Sequence, residues 1–113
     1  MIEDNILDIA RDVLKIEADA ISKASLKLGS SFSKAVELIE GTAPAGRVVV
    51  IGMGKSGHIG NKIAATFAST GTPAFTVHPG EAGHGDLGML TENDTVIAIS
   101  QSGKSDELLQ LLP

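Results

Sequence analysis

Apolar residues recur at steps of three and four through the first 28 positions: Ile2, Ile6, Ile9, Val13, Ile16, Ala20, Ile21, Ala24 and Leu28. That period places them on one stripe of a helix and predicts a long helix with one buried face. Glu3, Asp4 and Asp8 at its start and Lys23 and Lys27 at its end complement the helix dipole, and Gly29 is a natural stop. Ser30 or Ser31 can cap a shorter helix carrying Phe32, Ala35, Val36 and Ile39. Gly41 to Gly46 reads as a loop.

From Arg47 the pattern changes. Arg47–Ile51 is a run of β-formers, and it meets a glycine-dense turn at Gly52, Gly54 and Gly57. A helix is expected from Gly57 to Ser69, with Ile59, Ile63, Ala64 and Phe67 on its face, until Gly71-Thr72-Pro73 breaks it. Ala74–His78 reads as a second strand. Pro79 to Leu90 holds four glycines in twelve residues, which leaves room for one helical turn at most. Glu92-Asn93-Asp94 is turn-like, and Thr95–Ser100 is a third strand. Its unbroken apolar character predicts burial on both faces. Ser102-Gly103-Lys104-Ser105 then opens a last helix, Asp106–Leu112.

Strands alternating with helices predict an α/β fold built on a parallel sheet, a three-layer α/β/α sandwich of flavodoxin or Rossmann-like type. The expected division is N-terminal helices over 1–46 and a strand–helix unit over 47–113. A sheet that stops at a fully apolar third strand has an open edge. Half of a larger domain, or a protomer that completes its sheet with another copy, is therefore expected.

Composition narrows the partners. The 113 residues carry a net charge of −5, with three Phe and neither Trp nor Tyr. Without basic clusters or stacking platforms, nucleic acid is a poor partner. With no cysteine, disulfides and thiolate chemistry are excluded. The acidic, amphipathic start has none of the features of a secretory signal, and no apolar run is long enough for a membrane span. Cytoplasmic residence is the expectation.

The chemistry-bearing stretch is Val48 to Gly57, VVVIGMGKSG. Strand, glycine turn and helix in that order form an anion cradle, because glycines admit close backbone approach and a helix N-terminus presents N–H groups and partial positive charge. Lys55 and Ser56 are expected inside the turn, where Lys55 can neutralise phosphate or stabilise an oxyanion. Gly52-x-Gly54-x-x-Gly57 also fits a dinucleotide fingerprint, but the acid that would hold a ribose after the second strand is replaced by His78. A P-loop would need a glycine where Val49 stands. A tight turn alone also accounts for these glycines.

Ser100-x-Ser102-Gly103-x-Ser105 places three hydroxyls around a glycine at a helix start, a second phosphate-type element, where ordinary capping needs only one serine. His78-x-x-Glu81-x-x-His84 with Asp86 offers acid–base groups. Its spacing matches no compact zinc pattern, so no metal is expected. His58 reads as a helix-face residue near the site. Glu107 lies in the first turn of the last helix, where the dipole alone favours an acid.

Taken together, GMGKSGHIGNKIAATFASTGTPAFTVHPGEAGHGDLGM and AISQSGKSDE closely resemble the sugar isomerase (SIS) domain of bacterial arabinose-5-phosphate isomerases. The resemblance covers about residues 40–113, and the N-terminal helix agrees with it in position. It implies an aldose–ketose isomerase interconverting D-arabinose 5-phosphate and D-ribulose 5-phosphate, on the way to the eight-carbon acidic sugar of lipopolysaccharide or capsule, with no cofactor. It implies phosphate binding by Ser102, Gly103 and Ser105, bordered by Gly54, Ser56 and Ser100. Lys55 and Glu107 match positions tied to catalysis, and Glu81 and His84 match the loop lining the same site. It also implies that the family's domain continues beyond this stretch, and that copies associate as dimers or tetramers.

Overall fold

The structure, a computed structural model, describes residues 2–78 and 86–101. The chain divides into two units, Met1–Ala35 and Val36–Pro113. The first is α1 (Ile2–Lys27) and the beginning of α2 (Ser30–Glu40), close to the bounds expected from the apolar period and Gly29. The N–H of Phe32 donates to the Gly29 carbonyl at 3.0 Å across the break between them. The expected buried face of the first helix is corrected here: no residue of α1 is buried, and Ile2 and Ile21 are 81% and 72% exposed. An apolar stripe is buried only by a second layer, and this unit supplies none along α1.

In the second unit the run of β-formers becomes β1 (Val48–Gly52). α3 (Gly54–Ser69), β2 (Ala74–Val77), a 3₁₀ turn (Asp86–Met89) and β3 (Thr95–Ile99) follow. The strands are parallel in the order β2-β1-β3, so β1 is central. Every residue of β1 is buried. Its side chains alternate between two cores. Val48 and Val50 pack with Ala64 of α3, joined by Ile39, Ile63, Phe67, Ile97 and Ile99. Val49 and Ile51 pack on the other face with Val77, Phe75 and Leu90. Each fully buried valine contributes roughly 1.5–3 kcal/mol relative to an exposed one. Among the described residues no helix is long and apolar enough to cross a membrane.

Two sequence expectations are corrected in this unit. β3 is not buried on both faces: Val96 is 46% exposed and Ala98 is also exposed, while Ile97 and Ile99 reach the α3-side core. Continuous apolar sequence does not tell one-sided from two-sided cover, and the described elements cover one side of this strand. The third helix begins at Gly54 rather than Gly57. Gly54 has φ +55°, a left-handed value open to glycine, so the chain reverses immediately after Met53. The expected last helix, Asp106–Leu112, lies outside the described residues.

The opposite ends of the strands are tied by polar contacts. The backbone N–H of Arg47 donates to Asp94 Oδ1 at 2.7 Å, and the N–H of Thr91 donates to Asp94 Oδ2 at 2.8 Å. Arg47 Nη2 donates to the Met89 carbonyl at 2.8 Å and lies 3.5 Å from Asp94 Oδ2. Its guanidinium carbon sits 4.7 Å from the centre of the Phe75 ring. Thr42, buried, donates to the Leu38 carbonyl at 2.7 Å and meets the Thr95 hydroxyl.

Candidate functional site

A sheet ordered β2-β1-β3 has its chain reversal at β1: the connection to β2 leaves on one side and β3 returns on the other. In open α/β sheets that switch point, beyond the carboxyl ends of the strands, is where ligands bind. Here it is bounded by the turn after β1 and the end of β3, which are brought together by the pairing of Gly52 with Ile99.

The turn is tight for identifiable reasons. A Cβ on Gly52 would meet the Ser56 carbonyl group at 2.8 Å, and one on Gly57 would lie 2.9 Å from the Gly52 oxygen. The N–H of Gly57 donates to the Met53 carbonyl at 3.2 Å, closing the first helical turn. Met53, in extended conformation at the N-cap, provides no side-chain cap. The N-terminus of a sixteen-residue helix is thus aimed beyond the end of β1, a setting favourable to an anion.

Lys55 and Ser56 lie in the first turn of α3 and not in the preceding loop, a correction that follows from the early helix start. Lys55 is exposed and Ser56 is partly buried. Ser100 follows β3 directly and is partly buried across the switch point from the turn. The structure therefore gathers Gly54, Lys55, Ser56 and Ser100 at one end of the sheet. Glu81, His84, Ser102, Gly103, Ser105 and Glu107 lie outside the described residues. The metal alternative involving His78, Glu81, His84 and Asp86 falls mostly among those residues. β2 ends at Val77, so the position where a dinucleotide fold would want an acid is His78.

A cleft of about 420 Å³ opens beside this turn, on its β2 flank. Gly52, Gly54 and Gly57 form one wall, with His58 and Asn61 from α3, Thr76 from β2 and His78 just past its end. The sequence reading singled out neither Asn61 nor Thr76. The available signal was positional: Asn61 is three residues after His58 on a helix, and Thr76 two before His78 along a strand. It becomes informative only once α3 is known to lie over β2.

The SIS domain family matches residues 42–113. Arabinose 5-phosphate isomerase KdsD of Francisella tularensis is 56% identical over 105 residues, 92% of this chain and 32% of that protein. The enzyme of the same name from Yersinia pestis is 59% identical over 103 residues, 91% of this chain and 31% of that protein. The solved structure of Escherichia coli c3406 in complex with arabinose 5-phosphate superposes with a TM-score of 0.88 at 43% identity, covering 96% of this chain and 57% of that one. The chain spans about a third of the length of the curated relatives it matches. A family match over residues 42–113, on a parallel sheet whose glycine turn sits at the switch point, makes the chain a member of the SIS domain family.

Proposed function

We propose that this chain forms part of an aldose–ketose isomerase that interconverts D-arabinose 5-phosphate and D-ribulose 5-phosphate. The observation that carries the reading is the 56–59% identity, over nine-tenths of the chain, to enzymes named for that substrate. The structural neighbour bound to arabinose 5-phosphate supports the same ligand class. The reaction supplies a precursor of the eight-carbon acidic sugar of lipopolysaccharide or capsule and takes place in the cytoplasm. Copies of the protein associate as dimers or tetramers.

The reaction moves one proton from C2 of the open-chain aldose to C1, through an enediolate, and one hydroxyl proton from O2 to O1. It needs a base beside C2, a group to shuttle the hydroxyl proton, and a cation or donor facing the enediolate oxygens. Ser102, Gly103 and Ser105 hold the phosphate, with Gly54, Ser56 and Ser100 bordering it. Lys55 supplies positive charge from the first turn of α3. Glu81, His84 and Glu107 form the acid–base set.

Proton NMR of arabinose 5-phosphate in D₂O with the chain added tests this. Appearance of ribulose 5-phosphate with deuterium at C1 is the expected result. Line broadening of the sugar phosphate without turnover would favour the alternative, a sugar-phosphate-binding module that does no chemistry. Sharp, unshifted signals without product would overturn both.

A further inference from the structure

We infer that the cleft on the β2 flank is the subsite for the sugar's hydroxylated carbons, with His58 and Asn61 as its specificity-determining residues. This rests on the sugar-phosphate reading above. The cleft's polar lining comes from two elements. His58 and Asn61 are one helical turn apart on α3, Thr76 lies on β2 and His78 follows its last residue. At about 420 Å³ it lies within the usual size of small-ligand sites.

Its chemistry suits a polyol better than a phosphate. A neutral imidazole, a carboxamide and a hydroxyl each both donate and accept, as sugar hydroxyls do. None of the described lining residues is Lys, Arg, Asp or Glu. The described cations next in sequence to lining residues, Lys55 beside Gly54 and Lys62 beside Asn61, are not themselves among those lining residues. Val50, on the α3 side of β1, and Val77, at the end of β2, also line the cleft. Placement agrees: Gly52 and Gly54 border both the cleft and the switch point. From the β1/β3 gap to the β1/β2 gap is one strand spacing, about 4.8 Å, within reach of a five-carbon chain. A phosphate held on the β3 side would thus extend its sugar over the turn into the cleft.

The test is calorimetric titration of the parent chain, Asn61→Leu and His58→Gln with arabinose 5-phosphate and, separately, inorganic phosphate. The expected result is about a tenfold weakening for the sugar phosphate in each variant, the scale of one lost hydrogen bond. Affinity for inorganic phosphate should be unchanged. Far-UV circular dichroism identifies which variant keeps the native fold. Unchanged sugar-phosphate affinity in a folded variant would overturn the subsite while leaving the sugar-phosphate reading intact. Equal weakening for both ligands would overturn it too, since the side chains would then serve the phosphate. Failure of the parent to bind either ligand would remove the reading and the subsite together. A measurement needing no stable variant is the imidazole proton NMR of the parent, with the His58 signal assigned by its loss in His58→Gln or by triple-resonance spectra. Arabinose 5-phosphate should move that signal and inorganic phosphate should not, and identical shifts from the two would overturn the proposal.

Discussion

Gly57 approaches Gly52 so closely that a Cβ on Gly57 would lie 2.9 Å from the Gly52 carbonyl oxygen. The obstacle is backbone, not a side chain that can swing away, so α3 would have to shift off the end of β1 to admit a methyl group. Gly57→Ala is therefore expected to destabilise the fold by about 1–3 kcal/mol, the usual cost of overpacking. It should also weaken sugar-phosphate binding by displacing the helix N-terminus. Urea unfolding and calorimetry check both. An unchanged midpoint would mean that the turn has slack the structure does not show.

The hydroxyl cluster after β3 makes a separate prediction. Replacing Ser102 and Ser105 together by alanine should abolish measurable sugar-phosphate binding, because those hydroxyls would hold the dianion at the switch point. Unchanged affinity by calorimetry would place the phosphate elsewhere.

Asp94 links stability to pH. The backbone N–H of Thr91, then that of Arg47, hold its carboxyl below the ordinary value, and the Arg47 side chain acts in the same direction; burial opposes them only partly. A carboxyl depressed in the folded state stabilises the protein fully above the unfolded value of about 3.9. That contribution disappears as pH falls through the lower folded value. Melting temperature should therefore fall below about pH 4, the ordinary carboxyl value. Asp94→Asn should lower it at neutral pH and flatten this part of the acid limb. Parallel acid limbs in the two proteins would show that Asp94 is not the linked group.

Self-association is the fourth expectation. α1 leaves Ile2, Ile16 and Ile21 each more than 60% exposed, and β3 leaves Val96 46% exposed. Open apolar surface on this scale favours association. Light scattering should report a dimer or tetramer. Monomeric mass across a broad concentration range would refute it.

Much of this architecture was legible from local pattern. The three- and four-residue period marked α1 to within a residue at its start, Val48–Ile51 marked the most buried strand, and Gly71-Thr72-Pro73 marked the end of α3. These depend on periodicity, propensity and breakers, which neighbouring residues carry among themselves. The start of α3 was misplaced because three glycines in six residues read as loop. In the folded chain one of them, Gly54, turns the backbone and the helix continues through the third.

Sequence by itself determined the elements, their parallel α/β class and the residue types available for chemistry. Tertiary structure alone decided the order β2-β1-β3, and with it the gap bordered by the turn at Gly54 and by Ser100 after β3, because strand order arises from crossovers between distant segments. It also decided that Val96 and Ala98 stay exposed despite an unbroken apolar run, since cover depends on which elements pack there. The same holds for the cleft. Asn61 and Thr76 are fifteen residues apart and unremarkable in sequence; packing α3 across β2 is what places both at one opening.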